Sequence, residues 1–335
     1  MNIGMIGAGR WAGMHKNAIE TLAETHAPLR LTRVLTGTQA SADRVTAEWG
    51  VEAGTDLSAF LASGLDAVII ASPNDLHYAH ALAALRAGLP VLLEKPMALT
   101  SSAAEEIRQT ADEAGLVLAL GHEMRAFSWA QAVKDAIAGG RLGRVHHLTL
   151  DLWRRPYRGG AGGWKADPQR LGSSILEEPV HYLDLVRWWL GEPERIDAFA
   201  SSRSVPQTAW ENLDAMLVYE GAVARVSRSV AAFGHRVDVT VNGDAGALRL
   251  VWDGRSDADT KPRVAGWFHD LQDRDAPPET LDLRKRTGHA FDLPRQLEAF
   301  VQAVRGQGEP LASGADGVAA VRLCERVEDA LKRPL

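Results

Sequence analysis

With 335 residues, 46% of them hydrophobic and 24% charged, the chain has the composition of an ordinary folded protein and a length expected for about two domains with real cores. A net charge of −6 argues against a nucleic-acid-binding surface, and a single cysteine, Cys324, excludes an internal disulfide framework and fits a reducing cytosol. No apolar run approaches a membrane span, and the first strand starts too near Met1 for a signal peptide, so a cytoplasmic location is expected.

The first apolar run, Asn2 to Ile6, leads at once into Gly7-Ala8-Gly9-Arg10-Trp11-Ala12. This is a G-x-G-x-x-A turn of the dinucleotide-binding kind. Gly7 permits the tight turn, Gly9 lets backbone approach a pyrophosphate, and Ala12 allows close packing of helix on strand. A helix over about residues 11–24 would meet the phosphates with its free N–H groups. A second strand is expected at 29–35, where such folds place a carboxylate for the adenosine ribose. The residues here are Thr36-Gly37-Thr38-Gln39, which leave room for a 2′-phosphate and do not repel it. Arg10, Arg33 and Arg44 are candidate counter-charges, so NADP is favoured over NAD.

Residues 66–71 form another apolar run, followed by Ser72-Pro73-Asn74-Asp75-Leu76-His77 and an amphipathic helix to 87. Ser72, Pro73 and Asn74 are expected beside the nicotinamide half of the cofactor. His77 is grouped with them, although a plain polar residue in a helix's first turn is the competing reading. The run at 89–94 reads as a strand buried on both faces that stops at Glu94-Lys95-Pro96. Lys95, at the carboxyl end of such a strand, can hold an oxyanion or move a proton. The alternative is a surface lysine paired with Glu94. A helix at 100–114 and a strand at 116–120 follow, and strand–helix alternation stops at His122. The first domain is therefore set at 1–122 and the second at 123–335.

The second domain opens with a helix at 128–138. Strands are then expected at 145–153, 195–202, 213–219, 222–231, 236–242 and 247–252, separated by turn signals. They read as an antiparallel sheet of sequential strands with one open face, suited to a homodimer or homotetramer. Helices at 293–304 and 315–331 close the chain, and the glycine-rich loop 159–164 reads as a flap. Within 172–185, Glu177 and His181 are four apart, hence on one face of a helix if the segment is continuous. A carboxylate beside an imidazole makes a general base. Two other readings stand beside it: Ser174-x-x-Glu177 matches a capping box, and His181 could simply bond Asp184 or a backbone carbonyl; Pro179 also threatens the i,i+4 geometry. The basic stretch Arg154-Arg155-Pro156-Tyr157-Arg158 could bind an anionic group or face solvent. No cluster with metal-ligand spacing is seen, and no catalytic metal is expected.

Taken in order, the glycine turn, Ser72-Pro73-Asn74 with His77, Glu94-Lys95-Pro96, Arg125, the 139–143 turn and His181-x-x-Asp184 carry a resemblance over essentially the whole length. The chain resembles the glucose–fructose oxidoreductase / inositol dehydrogenase (GFO/IDH/MocA) family. The resemblance implies an α/β protein with an N-terminal doubly wound Rossmann sheet and a C-terminal α+β domain with a large, mostly antiparallel open sheet. It implies that Lys95 and His181 are catalytic. It also places Glu177 where the family has an aspartate and Pro179 where it has a glycine, with Glu177 orienting Lys95 or His181. Arg125, Arg155, Tyr157, Trp164 and Asp184 are the implied substrate residues. The activity implied is hydride transfer between NADP or NAD and a hydroxyl or keto carbon of a sugar, sugar derivative or cyclitol. A glycosidase that retains its NAD and a dinucleotide-sensing regulator are the rivals.

Overall fold

A computed structural model describes residues 1–25, 29–154, 164, 167–202, 210–230, 234–256, 259, 261–273, 275–283 and 292–333. Among them the strands form a six-stranded and an eight-stranded sheet, and the chain divides into two units.

The first unit holds β1 (Asn2–Ile6), α1 (Arg10–Thr25), β2 (Arg30–Leu35), α2 (Gln39–Trp49), β3 (Glu52–Gly54), α3 (Leu57–Leu61), β4 (Ala67–Ile70), α4 (His77–Arg86), β5 (Val91–Glu94), α5 (Ser101–Ala114) and β6 (Leu118–Gly121). The strands pair in parallel in the order β3-β2-β1-β4-β5-β6. β4, β5 and β6 are buried along their whole length, as a parallel sheet covered on both faces demands. The order reverses between β1 and β4. Ligands of open α/β sheets bind beyond the strand ends at such a reversal.

The second unit holds α6 (Ser128–Ala138), β7 (Val145–Trp153), α8 (Ser174–Glu177), α9 (Pro179–Leu190), β8 (Arg195–Ser201), β9 (Asn212–Tyr219), β10 (Ala222–Ser229), β11 (His235–Gly243), β12 (Gly246–Gly254), β13 (Arg263–Asp270) and β14 (Glu279–Thr280), while the short α7 (Pro168–Leu171) belongs to the first. Its sheet runs β14-β13-β12-β11-β7-β10-β9-β8. β7 lies between β10, which it pairs in parallel, and β11, which it pairs antiparallel. That corrects the expectation of sequential antiparallel pairing. The helical stretch after β7 delivers the chain to the far edge as β8, and the β8-β9-β10 meander returns to lie beside β7. β13 is also absent from the strands read in the sequence. Gly266 interrupts its pattern, and a side chain there would come within 2.5 Å of Leu250 and 2.6 Å of Leu283. On β7, Leu148, Leu150 and Leu152 point into the core and Thr149 and Asp151 do not.

The first unit also takes Asp167–Gly172 and Leu293–Arg322, so it is assembled from three stretches. α10 (Leu293–Val304) packs on α1, and the Leu120 amide donates to the Ala312 carbonyl at 2.9 Å. α11 (Gly314–Leu331) counts with the first unit as far as Arg322 and with the second from Leu323. Among the described residues no helix is long and apolar enough to cross a membrane.

Candidate cofactor and catalytic sites

At the end of β1, Gly7 adopts φ +111°, and a Cβ there would lie 2.4 Å from the Ala71 carbonyl oxygen. Only glycine fits this turn. A Cβ on Gly9, by contrast, would meet nothing within 4 Å. The loop is therefore open at the head of α1, where Arg10 and Trp11 begin the helix and buried Ala12 packs it down. The first N–H groups of a helix, which have no carbonyl partner within it, fit a pyrophosphate beside an open glycine backbone.

Beyond β2, Thr36 is buried. Its hydroxyl donates to the Thr38 carbonyl at 2.9 Å and its amide to the Gly54 carbonyl at 2.9 Å. Thr36 thus shapes the loop and turns its hydroxyl into it. Gly37 and Thr38 are the exposed residues, and the Thr38 hydroxyl caps α2 by accepting from the Ser41 amide at 3.2 Å. Of the proposed counter-charges, Arg33 is paired with Glu52. Arg44 donates to Glu48 at 3.1 Å and to the Ala8 carbonyl at 3.0 Å, bracing the glycine loop, and Arg10 is exposed at the head of α1.

His77 is buried with its ring nitrogens 2.7 Å from the Pro96 carbonyl oxygen and 2.9 Å from that of Ser72. It clips together the turns after β4 and β5. Burial pushes its pKa below the ordinary 6.5, against the weaker upward pull of the two carbonyls. Asn74 donates to the Leu171 carbonyl at 3.0 Å, and Asp75 accepts from Arg170 at 2.9 Å, so α7 is fastened beside Ser72 and Pro73.

Glu94 turns inward. Its carboxylate lies 2.7 Å from His15 Nε2 and accepts from the Lys95 amide at 3.3 Å. Gly121 on neighbouring β6 makes this possible, since a Cβ there would stand 2.7 Å from the Glu94 carboxyl carbon. A chain of contacts thus runs from the helix under the glycine turn to the backbone of Lys95. His15 was not singled out in the sequence. The signal was present: it interrupts the apolar stripe Ala12, Ile19, Leu22 on the buried face of α1.

In the second unit the segment around His181 is two helices. α8 ends at Glu177 and α9 starts with Pro179 as its first residue. Proline is favoured there because its missing N–H has no partner to lose, so it starts a helix and kinks none. Glu177 and His181 therefore do not share one helical face, which overturns the i,i+4 argument. The capping box is not formed either. Ser173 caps α8 by accepting from the Leu176 amide at 3.1 Å, and Ser174 accepts from the Trp210 amide at 3.3 Å. The buried carboxylate is that of the next residue, Glu178, paired with Arg154 and, at 2.7 Å, with Arg228 Nε. Burial alone would push its pKa up, but the two guanidiniums hold it below the ordinary carboxylate range.

Arg125 and Asp184 form a two-point ion pair at 2.8 and 2.7 Å, with side chains 2% and 1% exposed, and Arg125 lies 5.3 Å from the centre of the Trp188 ring. They fix α9 to the short helix Glu123–Ala126. Arg154, from the basic stretch, is engaged by Glu178. Arg155 and Tyr157 lie outside the described residues, and Trp164 is half-buried.

A parallel sheet whose first strand feeds an open glycine turn, joined to a second unit on a large open-faced sheet, defines a two-part dinucleotide-binding protein. The chain belongs to the GFO/IDH/MocA oxidoreductase family: residues 1–122 match its NAD-binding Rossmann fold and residues 134–332 its C-terminal alpha/beta domain. It is 31% identical over 268 residues to the 1,5-anhydro-D-fructose reductase of Ensifer adhaerens, which covers 76% of this chain and 74% of that one. It is 25% identical to the inositol 2-dehydrogenase of Rhizobium meliloti (strain 1021), over 97% of this chain and 95% of that one. The fold is similar to that of the WlbA dehydrogenase from Bordetella pertussis solved with NADH and UDP-GlcNAcA, with a TM-score of 0.82, 22% identity, and coverage of 100% and 99%.

Proposed function

We propose that the chain interconverts a hydroxyl and a keto carbon of a sugar, sugar derivative or cyclitol, using NADP in preference to NAD. The observation that carries this reading is the His15–Glu94 contact, which links the helix under the glycine turn to Lys95. The names of the anhydrofructose and inositol relatives support the substrate class.

The nicotinamide, when bound, supplies the hydride acceptor or donor. The backbone of Gly9, Arg10, Trp11 and Ala12 binds the pyrophosphate. Gly37 and Thr38, with Arg10 as counter-charge, would hold a 2′-phosphate, and Ser72, Pro73 and Asn74 would border the nicotinamide half. Lys95 donates to the reacting oxygen and offsets its growing negative charge, and His181 takes the hydroxyl proton at a ring nitrogen. Arg155, Tyr157 and Trp164 are assigned to substrate. A cytoplasmic homo-oligomer joined through the open sheet face completes the proposal. It is supported by Phe199 and Trp153, 52% and 43% exposed on that sheet.

The test is a panel of sugars, cyclitols and sugar acids with each cofactor, followed by absorbance of the reduced nicotinamide. Consumption of cofactor in proportion to product is expected. Lys95→Met should keep dinucleotide binding and lower turnover by about two to four orders of magnitude, the scale of a general acid–base or oxyanion group. Retention of more than about a tenth of native turnover would remove Lys95 from the mechanism.

A further inference from the structure

We propose that His77 is a positioning residue that acts as a proton-dependent clasp. With both ring nitrogens protonated it ties the turn after β4, at Ser72, to the turn after β5, at Pro96. With one proton gone it holds a single turn. The inference rests on the reading of Ser72 as a neighbour of the nicotinamide and of Lys95, which precedes Pro96, as the donor to the reacting oxygen.

His77 Nδ1 lies 2.7 Å from the Pro96 carbonyl oxygen and Nε2 lies 2.9 Å from that of Ser72, and the residue is 1% exposed. Both partners are carbonyls, which accept and never donate. A neutral imidazole carries one N–H and presents a lone pair at its other nitrogen; only the imidazolium donates from both. The two contacts together therefore belong to the charged ring. In the neutral ring a bare nitrogen faces a carbonyl oxygen, and two acceptors in that position repel. The Ser72 contact is the longer of the two, so it is the one released. His80, on the same helix, has Nδ1 3.0 Å from the Ser72 hydroxyl oxygen. Ser72 thus stays attached to α4 by its side chain after its carbonyl is freed, and the release re-aims the peptide without detaching the turn.

The charges facing this ring oppose one another. Glu94, at the end of β5 and in contact with His15, favours the imidazolium, while Lys95 disfavours it. On α4, His80 and His77 each make the other harder to charge. Asp75, just before α4, is engaged by Arg170. From α5, Glu106 accepts from Tyr78 at 2.6 Å and pairs with Arg86 at 3.7 Å, and Arg108 pairs with Glu105 and Asp112. Burial outweighs the pull of the two carbonyls, so the ring takes its second proton at a midpoint below 6.5. The clasp is accordingly closed on the acid side of that midpoint and open above it.

The test is a pH titration of the intact protein carrying isotope-labelled histidine, in which NMR reads the protonation of each ring nitrogen. The His77 signals are assigned through bonds to its own backbone. His77 is expected to pass from imidazolium to the Nδ1–H tautomer at a midpoint below 6.5. A single neutral tautomer at every pH at which the protein stays folded would overturn the proposal. On the reading above, a bound nicotinamide favours the arrangement in which the two turns are tied. NADPH, whose reduced ring is uncharged, should therefore make His77 hold its proton about fivefold more tightly. The fragment 2′-phospho-ADP-ribose carries the same phosphates without the nicotinamide and should have less than about half that effect. Equal effects would sink the proposal, because phosphate charge alone would then account for them. By reciprocity, the change in NADPH affinity across the midpoint should differ by about fivefold between the native protein and His77→Gln, which has no titrating ring there. If His77→Gln does not fold, the two ligand effects on the native protein decide. If NADPH does not bind, the cofactor reading fails, while the titration of the free protein still decides the clasp. If NADPH binds and His77 does not titrate, only the clasp fails.

Discussion

Thr36 stands where a dinucleotide-binding strand ends in a ribose-binding carboxylate, yet its hydroxyl is bonded into its own loop. A carboxylate placed there would face the carbonyls of Thr38 and Gly54, so Thr36→Asp would damage the loop before it altered specificity. Gly37 is the better position. It is exposed, does not need a left-handed backbone, and an added Cβ meets nothing within 4 Å. Gly37→Asp should weaken NADP, strengthen NAD and change the ratio of their dissociation constants by about tenfold or more, since the new charge repels a 2′-phosphate and accepts from a ribose hydroxyl. Fluorescence titration with both dinucleotides measures it. Tighter binding of NAD than of NADP by the native protein would refute the stated preference. At this scale the sequence showed residue types and spacing well, including the need for glycine at position 7. It could not show that Thr36 and Glu94 turn inward, because that depends on neighbours such as Gly54 and Gly121 brought in by other strands.

Among the elements, the break between α8 and α9 shows how one residue can be read two ways. Pro179 inside an assumed helix is a kink; preceded by a polar residue it is a helix start, and the Glu177-Glu178 pair before it was the available clue. Arg125 and Asp184 are a harder case. They are 59 residues apart, and only the folded unit shows that they meet each other. Asp184→Asn should cost about 3–5 kcal/mol by leaving a buried guanidinium uncompensated, and Arg125→Met added to it should recover part of that loss. Urea unfolding of the three proteins tests this. Native-like stability of Asp184→Asn would show that the pair does not hold the unit together.

For the whole molecule, alternation of apolar residues made six strands of the large sheet visible, and the glycine turn with its following strands made the parallel sheet visible. The central place of β7 was not, because pairing across an intervening helical segment leaves no local trace. The open face carries an expectation of its own. Sedimentation should show an oligomer, and Phe199→Asp with Trp153→Glu should convert it to monomer by setting charge in a buried contact; a native monomer would exclude the interface. The three-part construction of the first unit also governs the order of events during synthesis. β6 lies at the edge of its sheet, and the groups that cover that edge, Ala312 and Ser313, are made long after it, as is α10 over α1. A nascent chain that has reached residue 122 thus carries a bare strand edge and an uncovered helix while the entire second sheet is still being translated. The cofactor unit cannot be finished until translation has passed the segment Leu293–Arg322.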